Sequence, residues 1–137
     1  MGTEFRVDAT QVGAVLIILL GLHVFARGIA WMPDASVVLQ VQSGSGCQID
    51  SRGCATTGPG NYGNGERCTI HVPSSGWLTA TQFDTEGCCD TITIGGTSYS
   101  GTAGPDGVAV AAGSTFTWRS DHSVTNAGWT ICLSPGK

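Results

Sequence analysis

Residues 91–119 read TITIGGTSYSGTAGPDGVAVAAGSTFTWR. Four short runs rich in Thr, Ile, Val, Phe and Trp, at 91–94, 97–100, 108–111 and 115–119, are set apart by GG, AGPDG and AAGS. Ile92 with Ile94, Val108 with Val110, and Phe116 with Trp118 step by two, which puts each pair on one face of an extended chain. The separators supply what turns need: Gly for positive φ, Pro and Asp for the corners. Strands this short and closely spaced leave no room for crossover helices, so the stretch predicts antiparallel pairing rather than βαβ units.

The same rhythm continues on both sides. Further strands are expected at 36–42 (SVVLQVQ), 68–72, 77–83 and 129–133, where Trp129, Ile131 and Leu133 again step by two. Their boundaries are SGSG, GPGNYGNG and PSSG. The fold class expected is all-β, an antiparallel β-sandwich, preceded by one N-terminal transmembrane α-helix. No internal repeat and no low-complexity tail interrupts it.

That helix is read from residues 12–32, VGAVLIILLGLHVFARGIAWM, interrupted by His23 and Arg27 alone. At about 1.5 Å per residue the run spans the roughly 30 Å of a bilayer core. The rival reading, a cleaved signal peptide, lacks its positive leader, because Glu4 and Asp8 offset Arg6 in MGTEFRVDATQ. Pro33 ends the run by restricting Met32 to extended angles, and Trp31 suits the interface. His23 and Arg27 are four apart and share a helical face. Arg27 reaches the interface, and His23 either hydrogen-bonds a neighbouring helix or ligates a pigment or metal in a larger complex. The chain thus divides into a short segment 1–11, a span 12–32, a linker and first strand 33–46, and the β-sandwich 47–137.

The remaining composition narrows the partners. With 137 residues there is room for one domain and a short extra element. Net charge is −4 with no basic stripe, which argues against nucleic acid. Cys47, Cys54, Cys68, Cys88, Cys89 and Cys132 all follow the apolar run, so the domain is expected on the oxidising, lumenal or extracellular side of a membrane. Six cysteines allow 15 pairings, and sequence does not choose among them. For adjacent Cys88 and Cys89 a vicinal bridge, free thiols and pairing elsewhere all stay open.

An enzyme is not expected. His71 and His122 come without a nucleophile motif or a spaced second ligand, and Asp121 and His122 are neighbours that point apart on a strand. GSG and GNG lack the strand–helix context and the lysine of a phosphate loop.

Four segments follow one another in a familiar order: GPGNYGNGERCTI, FDTEGCCDTITI, YSGTAGP and WRSDHSVTNAGWTIC. Over Cys47 to Cys132 the chain resembles a CUB domain, in the short form associated with algal and protist proteins. The resemblance implies a β-sandwich that binds proteins or glycans. It also implies a calcium ion at one end, held by Glu86, Asp90 and Asp121 with Tyr62 and Ser123 as neighbours. Such a donor set suits a hard cation. Glu86 and Asp90 stand closer together than in familiar calcium-binding members, and Cys89 takes the place of a Tyr, so the reading of these acids as solvated turn caps stays beside it. Family position implies bridges Cys54–Cys68 and Cys47–Cys132.

Two functions are expected from these readings. One is a small accessory subunit of a larger membrane complex, such as an algal photosystem, with the β domain in the thylakoid lumen and a pigment contact at His23. The other is a cell-surface or secretory-pathway module that binds a protein or glycan ligand, with calcium as its cofactor.

Overall fold

In the computed structural model, residues 37–136 are described. The expected span 12–32, with His23 and Arg27, lies outside them. Among the described residues no helix is long and apolar enough to cross a membrane.

Ten strands form two antiparallel sheets. They are β1 (Gln40–Ser45), β2 (Gln48–Ile49), β3 (Ala55–Thr56), β4 (Arg67–His71), β5 (Gly76–Asp84), β6 (Thr91–Ile94), β7 (Thr97–Tyr99), β8 (Val108–Val110), β9 (Thr115–Arg119) and β10 (Gly128–Pro135). One sheet has the order β1-β4-β9-β6-β7, the other β2-β3-β10-β5-β8. The all-β reading and its period of two hold. On β9, Phe116 and Trp118 are buried while Thr115, Thr117 and Arg119 face out; on β6, Ile92 and Ile94 are buried. Trp129, Ile131 and Leu133 fill the core from the opposite sheet. Val108 and Val110, expected inside, are half-buried at the core margin because β8 is an edge strand.

The indole rings of Trp118 and Trp129 meet edge to face across the two sheets at 5.7 Å, and Tyr62 closes on Trp118 at 5.0 Å. These contacts join the two buried tryptophans of the described residues in the core, where aromatic pairs contribute about 1 kcal/mol beyond area burial.

Two expectations change. The sequence predicts a first strand at 36–42 with SGSG as a turn, but β1 runs on through SGS and pairs Ser43, Gly44 and Ser45 with Thr69, Cys68 and Arg67. A bulge between Val41 and Ser43 permits this, and a Cβ on Gly44 would overlap the Arg67 carbonyl, so glycine lets β1 lie flush on β4. Strands β2 and β3 leave no mark in the sequence, because two residues carry no period.

The bridges expected between Cys54 and Cys68 and between Cys47 and Cys132 are not formed. The pairs are Cys47–Cys68, Cys54–Cys132 and Cys88–Cys89. Strand order explains the first two. Ala55 pairs with Ile131, which sets Cys54 beside Cys132 with Cα atoms 4.4 Å apart, and Gly44 pairs with Cys68, which brings Cys47 within bridging reach of it. Cys54–Cys132 joins the start of β3 to β10 of the same sheet, and Cys47–Cys68 ties the link between β1 and β2 to β4.

Candidate metal centre

Three loops leave the sandwich at one end: residues 57–66 between β3 and β4, 85–90 between β5 and β6, and 120–127 between β9 and β10. Strand register puts them together. Arg119 at the end of β9 faces both Arg67 at the start of β4 and Thr91 at the start of β6, and Gly128 at the start of β10 faces Asp84 at the end of β5.

Glu86, Asp90 and Asp121 converge there, each offering a carboxylate oxygen within 4.8 Å of the others. Asp90 is fully buried and still carries hydrogen bonds on both oxygens. The Tyr62 hydroxyl donates to Oδ2 at 2.6 Å, and the Asp121 backbone N–H donates to Oδ1 at 2.7 Å. The Tyr62 oxygen in turn accepts the Glu86 N–H at 3.0 Å. Tyr62 is therefore a positioning residue that locks two acidic loops together. Burial pushes its phenol up to about 12, and the hydrogen bond to Asp90 adds to the rise.

Ser123 contributes its backbone N–H, 3.0 Å from Asp121 Oδ1, which leaves Oδ2 of Asp121 free of that bond. Glu86 has no such support. Its Oε2 is shielded from water and has no hydrogen-bond partner among the described residues. Desolvation raises the Glu86 carboxyl above its ordinary range, with the Asp121 and Asp90 carboxylates adding repulsion. A buried acceptor without a donor, facing two more carboxylates, is the electrostatic signature that a cation relieves. The three acids fit a hard divalent ion on this ground.

Cys88 and Cys89 also approach Glu86, but as a disulfide they offer no thiolate. They form the turn between Glu86 and Asp90. Thr85 fastens the same loop: its N–H and hydroxyl engage the Gly101 carbonyl and the Asp90 carbonyl at 2.9 and 3.0 Å. Val124, exposed and with φ at 54°, lies in the Asp121 loop and is the one non-glycine residue in the left-handed region among those described.

Sequence reading missed Glu66 and Ser120. Glu66 takes the Gly63 N–H on Oε1 and the Trp118 indole N–H on Oε2, so it shapes the Tyr62 loop from within. Ser120 bridges the Glu66 N–H and the Gly63 carbonyl. Nothing in ER or RS marks such inward turns, because Glu and Ser are ordinary solvent-facing residues. His122 is exposed beside the acids, and His71 stands at the far end of β4.

Fold and site together define a disulfide-bonded, two-sheet antiparallel sandwich with an acidic cluster at one loop end. Comparison with protein-family models, with curated proteins and with solved structures finds no match.

Proposed function

We propose that the β domain is a non-catalytic, calcium-dependent binding module of the CUB-like kind, working on the oxidising side of a membrane against a protein or glycan ligand. The observation that carries the reading is the convergence of Glu86, Asp90 and Asp121, with Glu86 Oε2 left without a donor among the described residues. Calcium takes six to eight oxygens, so three carboxylate side chains leave coordination positions for water or for oxygens of a ligand. The backbone bonds to Asp90 and Asp121 hold two of the acids in place before any ion arrives, which lowers the ordering cost of binding.

Calorimetric titration of the full chain with calcium tests this. Extracellular calcium sites bind at about 0.1–1 mM, and Glu86→Gln should abolish the heat. Absence of binding to the unaltered chain in that range sinks the reading.

A second reading rests on residues 12–32 and their polar pair His23 and Arg27. It makes the chain an anchored accessory subunit of a membrane complex, a photosystem among the candidates, with His23 against a pigment or a neighbouring helix. Native gel separation after mild solubilisation decides it: co-migration with a large complex supports a subunit, and migration as a free small protein removes the reading.

A further inference from the structure

We propose that the outer face of the β1-β4-β9-β6-β7 sheet is a binding site for an acidic polysaccharide, whose sulfate or carboxylate groups are held between Arg67 and Arg119. The site lies on the sheet face next to the acidic loop end, where Arg119 faces Arg67 and Thr91, and it does not use that end's cation.

Charge placement is the first observation. Three arginines occur among the described residues. Arg52 is spent on Asp50, 3.0 Å away. Arg67 and Arg119 lie directly opposite each other across β4 and β9, both exposed, and neither has a carboxylate in ion-pair reach among the described residues. The nearest acids in sequence are turned elsewhere, Glu66 to the Trp118 indole and Asp121 toward Ser123. Like charges directly opposed across a strand pair repel. Two guanidinium forks side by side on an otherwise acidic chain are complementary to one planar or tetrahedral oxyanion.

The surroundings are the second observation. Two residues further along each strand, Ser43, Thr69, Thr117, Thr93 and Ser98 stand in register across all five strands. At about 4.8 Å between strands this hydroxyl row runs roughly 19 Å. Together with the arginines it lines a groove of about 510 Å³. Thr93 and Ser98 bond each other at 3.1 Å, while the hydroxyls of Ser43, Thr69 and Thr117 have no protein partner among the described residues. Threonine on the wet face of a sheet is ordinary strand chemistry, so the row alone is no site. Beside an unpaired arginine couple, it supplies paired donors and acceptors for a ligand made of hydroxyls and anions.

Other occupants fit less well. A peptide wants apolar anchors or a free sheet edge, and this groove is polar and lies on the face. Two cations neutralise few phosphates, and the exposed Trp77 belongs to the other sheet, so nucleic acid lacks both charge and stacking here.

The test is calorimetric titration of the full chain in neutral detergent, with a chelator present. The probes are oligosaccharides of dextran sulfate and of polygalacturonate, with neutral dextran and polyaspartate as comparisons. The charged oligosaccharides should bind and the neutral one should not. Arg67→Gln and Arg119→Gln should each weaken binding at least about tenfold, and Arg119→Lys less, because lysine keeps charge but loses the fork. Neither Gln variant should lower the melting temperature, since each removes a like-charge pair, so loss of binding is not loss of fold. The proposal is overturned by no binding of either charged oligosaccharide, by undiminished binding in the arginine variants, or by polyaspartate binding as tightly. Binding that vanishes in Glu86→Gln would move the ligand to the acidic end and overturn the assignment too, whereas failure of calcium to bind leaves this face untouched.

Discussion

A carboxylate with no exposure survives inside a small sandwich only when donors replace the water it has lost. Asp90 meets that condition through the Tyr62 hydroxyl and the Asp121 N–H. Tyr62→Phe deletes one donor without changing the ring, leaves Asp90 Oδ2 bare, and frees the Glu86 N–H. Thermal unfolding should show a loss of about 2 kcal/mol, the usual cost of an unsatisfied buried group. Val124 gives the opposite sign. A branched residue at φ 54° is strained, and its side chain is exposed, so little packing offsets the strain. Val124→Asn should gain about 1 kcal/mol in the same measurement. The resemblance groups Glu86, Asp90 and Asp121 in the sequence, and the fold brings their carboxylates within 4.8 Å of one another. What sequence does not carry is direction. Glu66 looks like any surface glutamate until its carboxylate is found against the Trp118 indole, and Arg67 and Arg119, 52 positions apart, become neighbours through strand register alone.

Among elements, the three disulfides divide by what they constrain. Cys54–Cys132 spans a sequence separation of 78 and Cys47–Cys68 one of 21, so both restrict the unfolded chain. By loop-closure entropy they contribute about 4.5 and about 3.3 kcal/mol. Cys88–Cys89 has a separation of 1 and closes no chain loop, so its contribution is local, setting the turn between Glu86 and Asp90. It is also the accessible one: Cys88 is exposed, whereas Cys54 and Cys68 are buried. Graded reduction with a dithiol, trapped by alkylation and read by mass spectrometry, should open Cys88–Cys89 first. Chains reduced at that bridge alone should keep their melting temperature within a few degrees and bind calcium more weakly. Chains with Cys54 and Cys132 both changed to Ala should lose roughly 4.5 kcal/mol of unfolding free energy. The strands with hydrophobic alternation, β6 and β9 above all, were readable to the residue. The pairings that decide the bridges were not, because β2 and β3 are too short to show a period and strand order is a property of the whole sheet.

For the whole molecule, the proposed calcium site sets proton and cation in competition for one end of the sandwich. The Glu86 carboxyl is raised by desolvation and by its two acidic neighbours, so the folded state holds that proton more tightly than the unfolded chain does. Without a cation, the group favours the fold at acid pH, and that contribution is lost as pH rises through its elevated range. A calcium ion needs the ionised form and replaces the proton, so its stabilisation must grow over the same interval. At a hundredfold excess over the dissociation constant the gain is about 2.7 kcal/mol, which for a domain of this size is a rise in melting temperature on the order of 10 °C. Melting curves with calcium and with chelator should therefore diverge near about pH 7 and converge toward about pH 4, where carboxylates take up protons. In Glu86→Gln the proton-linked loss disappears, the chelator curve flattens over that interval, and calcium no longer separates the two. Curves that stay parallel at every pH in the unaltered chain would show that Glu86 is not the group through which the cation and the fold are coupled.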